Sequence, residues 1–115
     1  MNLGAFTPLG STVVLPANST APTGVQAPVS TGLGSAQYHF VNTGTQIVYI
    51  AWGATAAAAQ TAAVIPTAGA GNQTATLALM PNSVSVYSLP AGSFFSGITP
   101  ALGLCNVLIT PGEGL

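Results

Sequence analysis

Gln37-Tyr38-His39-Phe40-Val41-Asn42-Thr43-Gly44-Thr45-Gln46-Ile47-Val48-Tyr49-Ile50-Ala51-Trp52 is the stretch whose reading decides the fold. Its first five residues alternate, Asn42 to Thr45 carry turn chemistry, and Gln46 to Trp52 form a second β-rich run. The pattern predicts a β-hairpin. Because side chains in a strand alternate faces, Tyr38 and Phe40 share one face, and Gln37, His39 and Val41 the other. The second run places Ile47, Tyr49 and Ala51 opposite Val48, Ile50 and Trp52. A strand apolar on both faces is expected to be central and covered twice.

Downstream, the punctuation repeats. Gly69-Ala70-Gly71-Asn72 reads as a turn, and Thr74 to Leu79 as a half-buried strand in which Leu77 and Leu79 alternate with Thr76 and Ala78. Pro81-Asn82 leads into Ser83 to Leu89, where Val84 and Val86 alternate with serines before Pro90-Ala91-Gly92 stops the run. Phe94-Phe95 opens a segment reaching Ile98. A final strand covers Leu104 to Thr110 and is closed by Pro111-Gly112-Glu113-Gly114. Short strands at this spacing suit a single all-β domain over 36–115, a β-sandwich or jelly roll.

Upstream, residues 1–35 are rich in Pro, Gly, Ser and Thr, with one apolar run, Thr12-Val13-Val14-Leu15, halted by Pro16. They are read as an N-terminal arm and loop holding one short strand, either a tether that orders on a partner or an irregular surface loop. Val13, Val14 and Leu15 suit pairing with a neighbour's sheet edge, which makes them candidate interface residues. Trp52, beside Gly53 at a strand end, is the fourth candidate, read equally as core or as interface anchor.

Composition restricts function more firmly than any motif. The 115 residues include no Lys or Arg, one acid (Glu113) and one His (His39), with 49% hydrophobic residues, fourteen Gly and nine Pro. A typical soluble domain is about 25% charged. Without cations the chain cannot neutralise a phosphate backbone, so nucleic acid is not an expected partner. Polybasic attachment to anionic lipid fails for the same reason. Cohesion must come from apolar burial, backbone ladders and neutral hydrogen bonds. A chain so poor in charge is expected to work docked in a permanent assembly.

Ile47 to Ile65 runs nineteen residues without charge, the length of a membrane helix. Its strand-like first half, Gly53, and the small-residue stretch from Ala54 to Ala63 argue against a span, and no membrane partner is expected. Met1 to Gly10 lacks a basic, then apolar, leader, so a cytoplasmic site of synthesis is the expectation. Cys105 is the sole cysteine and can form no internal disulfide.

Chemistry has little to work with. Paired carboxylates need two acids, and a serine triad would require Glu113 to reach His39. A Cys105–His39 pair is conceivable, but Cys105 begins an apolar strand and reads as a small core residue. One His, one Cys and one Glu lack metal-ligand spacing, and Gly69-Ala70-Gly71 lacks the Lys of a phosphate loop. No enzyme activity, metal or cofactor is expected, and His39 reads as a solvated or hydrogen-bonded residue on a polar strand face.

The run Phe40-Val41-Asn42-Thr43-Gly44-Thr45-Gln46-Ile47-Val48-Tyr49-Ile50-Ala51-Trp52-Gly53, the Leu89-Pro90-Ala91-Gly92 turn and the ending Val107 to Leu115 resemble capsid decoration, or cement, proteins encoded among the head genes of tailed bacteriophages. The likeness spans about Gln37 to Leu115. It implies a small β-domain, often a jelly roll, that forms homo-oligomers (dimers or trimers) on the capsid exterior. The implied function is structural, with the major capsid protein as partner and subunits of the shell bridged. Another virion part, such as a head-fibre base or tail adaptor, and a secreted adhesion or carbohydrate-binding module are the alternatives.

Overall fold

The computed structural model describes residues 7–8, 10–27, 35–66, 69–71, 76–90 and 92–113. In chain order these form β1 (Thr7–Pro8), β2 (Val13–Ala17), β3 (Val25–Gln26), β4 (Ser35–Asn42), β5 (Val48–Gly53), α1 (Ala56–Ala62), β6 (Leu77–Leu79), β7 (Val84–Pro90), β8 (Phe94–Ile98) and β9 (Cys105–Glu113). Two antiparallel sheets pack face to face, as the alternation requires. Sheet A has the order β1-β9-β4-β7, with β2 also paired to β9, and sheet B the order β3-β8-β5-β6. The chain is an all-β sandwich.

The hairpin expected over Gln37 to Trp52 does not form. β4 lies between β9 and β7 in sheet A, whereas β5 lies between β8 and β6 in sheet B. The intervening turn therefore crosses from one layer to the other. Asn42 is the device: its fully buried Nδ2 donates to the Gln46 carbonyl (2.8 Å) and to the Leu79 carbonyl in the opposite sheet (3.1 Å). Its Oδ1 accepts from the Gly44 N–H at 2.9 Å. Crossing also satisfies β5, whose two apolar faces need cover on both sides.

The face assignments within each strand stand. Tyr38 and Phe40 are buried, with Gln37, His39 and Val41 half-exposed behind them. Phe95 of sheet B meets Tyr38 edge-on at 4.8 Å between ring centroids and Phe40 at 5.5 Å, locking the layers together. Leu15, Val48, Ile50, Leu79, Val107 and Ile109 complete the core.

The arm is corrected for its described part. Val13 to Ala17 pair with β9 from Ile109 to Cys105, and Leu15 and Ala17 are buried in the same core. Burying Leu15 within its own sandwich outweighs leaving it for a neighbour. Further along, the Pro22 carbonyl accepts from Ser96 Oγ (2.7 Å), the Ala21 carbonyl accepts from Gln60 Nε2 (3.0 Å), and β3 pairs with β8. Met1 to Phe6, Leu9 and Pro28 to Gly34 lie outside the described residues.

Three further differences follow from packing. The β7 register sets Tyr87 against Tyr38 and Ser85 against Phe40, so Tyr87 and Leu89 turn inward while Val84 is left 57% exposed. β9 continues through Pro111 to Glu113 because Gly112 and Glu113 gain β1 as a partner on one side and Gly112 pairs with Gln37 on the other. The alanine stretch after Gly53 is helical. Alanine has the strongest intrinsic helix propensity, and Thr55 Oγ1 caps the helix by accepting from the Ala58 N–H at 3.0 Å. Among the described residues no helix is long and apolar enough to cross a membrane.

Candidate docking surface

The sparse reactive groups are kept apart. His39 lies on the outer face of β4 between Val86 and Thr110. Cys105 faces the core, and its thiol approaches the Gln46 carbonyl at 4.0 Å. The two are on opposite faces and about 17 Å apart along β9, at roughly 3.3 Å per residue. Glu113 pairs through its backbone with Thr7 at the far end of that strand. Among the described residues no three of His, Cys, Asp and Glu gather as metal ligands would. Burial raises the Tyr38 hydroxyl above its ordinary value, an effect that backbone hydrogen bonds at Gly92 and Ser93 oppose.

Trp52 packs against the core and borders a cleft of about 380 Å³ with Gly53, Ala54, Pro90, Gly92 and Ser93. Two polar groups at this cleft are engaged within the fold. Ser93 Oγ donates to the Pro90 carbonyl (2.6 Å), and the Gly92 carbonyl accepts from Gln26 Nε2 (2.9 Å). The cleft has shape without charge.

Among the described residues, the opposite end of the sandwich carries the most exposed large apolar side chains: Leu102 at 85%, Leu104 at 60% and Met80 at 58%. They stand on loops that polar contacts hold in place. The Ala101 N–H donates to Gln46 Oε1 (3.1 Å), the Gly103 N–H to Asn18 Oδ1 (3.2 Å) and Thr99 Oγ1 to the Ala101 carbonyl (2.8 Å). Asn42 donates its backbone N–H to the Ser83 carbonyl, and Thr43 its own to the Asn106 carbonyl, each at 3.1 Å. The loop backbones thus spend hydrogen bonds on polar side chains and on one another, and the leucines face water. Burying each such side chain is worth about 1.5–3 kcal/mol, which a partner surface can supply.

Beside this end, a row of aliphatic side chains crosses the outer face of sheet A. The register aligns Val14 with Leu108, Leu108 with Val41, and Val41 with Val84. Val14 is 49% exposed, and Leu108 and Val41 are partly exposed. The next row is polar over three strands, with Thr12 Oγ1 and Thr110 Oγ1 hydrogen-bonded at 2.7 Å and His39 following, and ends in Val86 on β7.

Of the four residues singled out from sequence, Val14 lies on this surface. Val13 packs half-buried against the core, Leu15 is fully buried and unavailable to a partner, and Trp52 borders the cleft at the other end. Sequence reasoning passed over Met80 and Leu102 and set Leu104 at the start of the final strand, which begins instead at Cys105. The signal was present in Leu102-Gly103-Leu104, an apolar pair in a stretch with the Pro100 and Gly103 of a loop. No family model, no curated protein and no solved structure matches the chain.

Proposed function

We propose that the protein is a non-enzymatic structural part of a bacteriophage virion, a jelly-roll decoration protein that docks on the capsid exterior and bridges major capsid subunits as a homo-oligomer. The observation that carries this reading is the uncharged apolar end formed by Met80, Leu102 and Leu104, in a chain with no Lys or Arg. Such a surface gains from being covered and has almost no charge with which to recognise anything else. The strand order supports the jelly-roll part: β2-β9-β4-β7 faces β3-β8-β5-β6, and β5–β6 is the one pair of consecutive described strands that is hydrogen-bonded. The shell reading draws on the resemblance of Gln37 to Leu115 to decoration proteins. Docking of this kind is weak per copy and strengthened by valency across a lattice.

Retention on shells of the cognate major capsid protein tests the reading. It is expected to hold from low salt to about 1 M, where the Debye length shrinks to about 3 Å and charge pairs are screened. The Leu102→Ser/Leu104→Ser double variant is expected to lose retention at least about tenfold, the equivalent of 1.4 kcal/mol, at every salt concentration. Release of the unaltered protein by salt alone, or full retention of the double variant, contradicts apolar docking through this end.

A further inference from the structure

Strand edges are dangerous because their unpaired N–H and C=O groups accept any other strand, and proteins shorten, charge or proline-block them. This chain has no lysine to use, and all its described edges but one are managed by other means. β1 and β3 are two residues long and β6 is three. β2 is five long but holds Pro16 near its end. β7 is the exception, with seven residues paired to β4 on one side, joined to no other described strand, uncharged, and free of proline until its last position.

We infer that β7 is a self-association edge, on which a second copy of this chain pairs its own β7 antiparallel about a two-fold axis at Val86. An axis there sets Val84 against the partner's Ser88 and Ser85 against the partner's Tyr87. Pro90 then falls opposite Asn82, beyond the strand, so the missing proline N–H interrupts nothing. An axis one residue later would set Pro90 against Val84 and break the ladder. A two-fold can pass through either kind of antiparallel residue pair, so both sheets A become one continuous sheet. A second copy suits the edge electrostatically, since two chains with no cation and one acid each approach almost without repulsion. Five paired residues make an edge only about 17 Å long and one strand deep, too narrow to bury the roughly 800 Å² per partner of a stable complex. The dimer is therefore concentration-dependent in solution and reinforced where copies are held side by side.

This names the surface for the homo-oligomer in the proposed function. Measured on the free protein, its failure leaves shell docking standing, and failure of docking leaves the dimer standing. Sedimentation velocity from about 10 µM to about 1 mM, a span of free energies for weak association, is expected to show a monomer–dimer equilibrium. Val86→Lys and Val86→Glu, which place like charges together at the axis, are each expected to weaken it at least tenfold. An equimolar mixture of the two is expected to restore it. Val14→Lys, at the far side of the same sheet, is expected to change nothing, with circular dichroism confirming that all variants are folded. A monomer throughout, a trimer, Val86 variants that dimerise normally, or a mixture that fails to recover overturns the inference. Loss of association in Val14→Lys overturns it too, in favour of stacking between outer faces.

Discussion

The two sheets are built from similar residues and have opposite fates. On the outer side of sheet B, Ala51 and Ser96 are fully buried beneath α1 and the Ala21–Gly24 strip. Small residues permit this closure. A Cβ at Gly53 would lie 2.9 Å from the Ala59 nitrogen and 3.0 Å from the Ala58 Cβ. On the outer side of sheet A, larger side chains, Val14, Leu108, Val41 and Val84, form a row that no described element covers. The contrast separates two uses of apolar surface. Small residues on the closed side serve the fold, and branched residues on the open side contribute nothing to the core. The open side thus leaves large aliphatics wholly or partly exposed to solvent.

Four outcomes sharpen or break that contrast. Deleting residues 1–35 has the largest expected effect, because it removes β2 from the core and the strip that closes sheet B. Far-UV circular dichroism and urea titration should show no cooperative transition. A folded truncated domain would restore the separable arm. Phe40→Ala, between the sheets, is expected to cost about 3–5 kcal/mol by urea denaturation, and a near-neutral result would mean the inner face is wrongly assigned. Gly53→Ala, on the closed side, is expected to cost about 1–3 kcal/mol through overpacking against α1, while Val84→Ser, on the open side, stays within about 0.5 kcal/mol. Equal costs would erase the distinction between the sides.

The fourth outcome concerns pH. Tyr38 ionises above its ordinary 10.0 in the folded chain because burial disfavours the phenolate. The unfolded chain gives up that proton first, so the contribution of Tyr38 is fully present below about pH 10 and declines as pH rises beyond it. Urea midpoints measured up to pH 11.5 should decline in step, and the slope should be shallower in Tyr38→Phe.

Within strands, the sequence was legible. Period two correctly sent Tyr38 and Phe40 inward and marked β5 as a central strand covered twice. Between strands it was not, because turn chemistry at Asn42 to Thr45 suits a hairpin as well as a crossing. What decides is the reach of Asn42 to Leu79, thirty-seven residues away, which no local pattern carries. For Val84 and Val86 the limit is the same. Alternation shows that two faces differ, and the register with β4 decides which one is inner. The helix was hidden in a stretch read for hydropathy, although Thr55 before a run of alanines is a cap signal. At the end that carries Met80, Leu102 and Leu104, the β-rich pattern draws Leu104 into the final strand, whereas β9 begins at Cys105 and leaves it on the loop.

A reconstruction of shells decorated with the protein tests the central claim most directly. The account predicts that Met80, Leu102 and Leu104 are buried against the major capsid protein, with α1 and the closed side of sheet B facing solvent. Contact through α1, with those three side chains left in water, would contradict it.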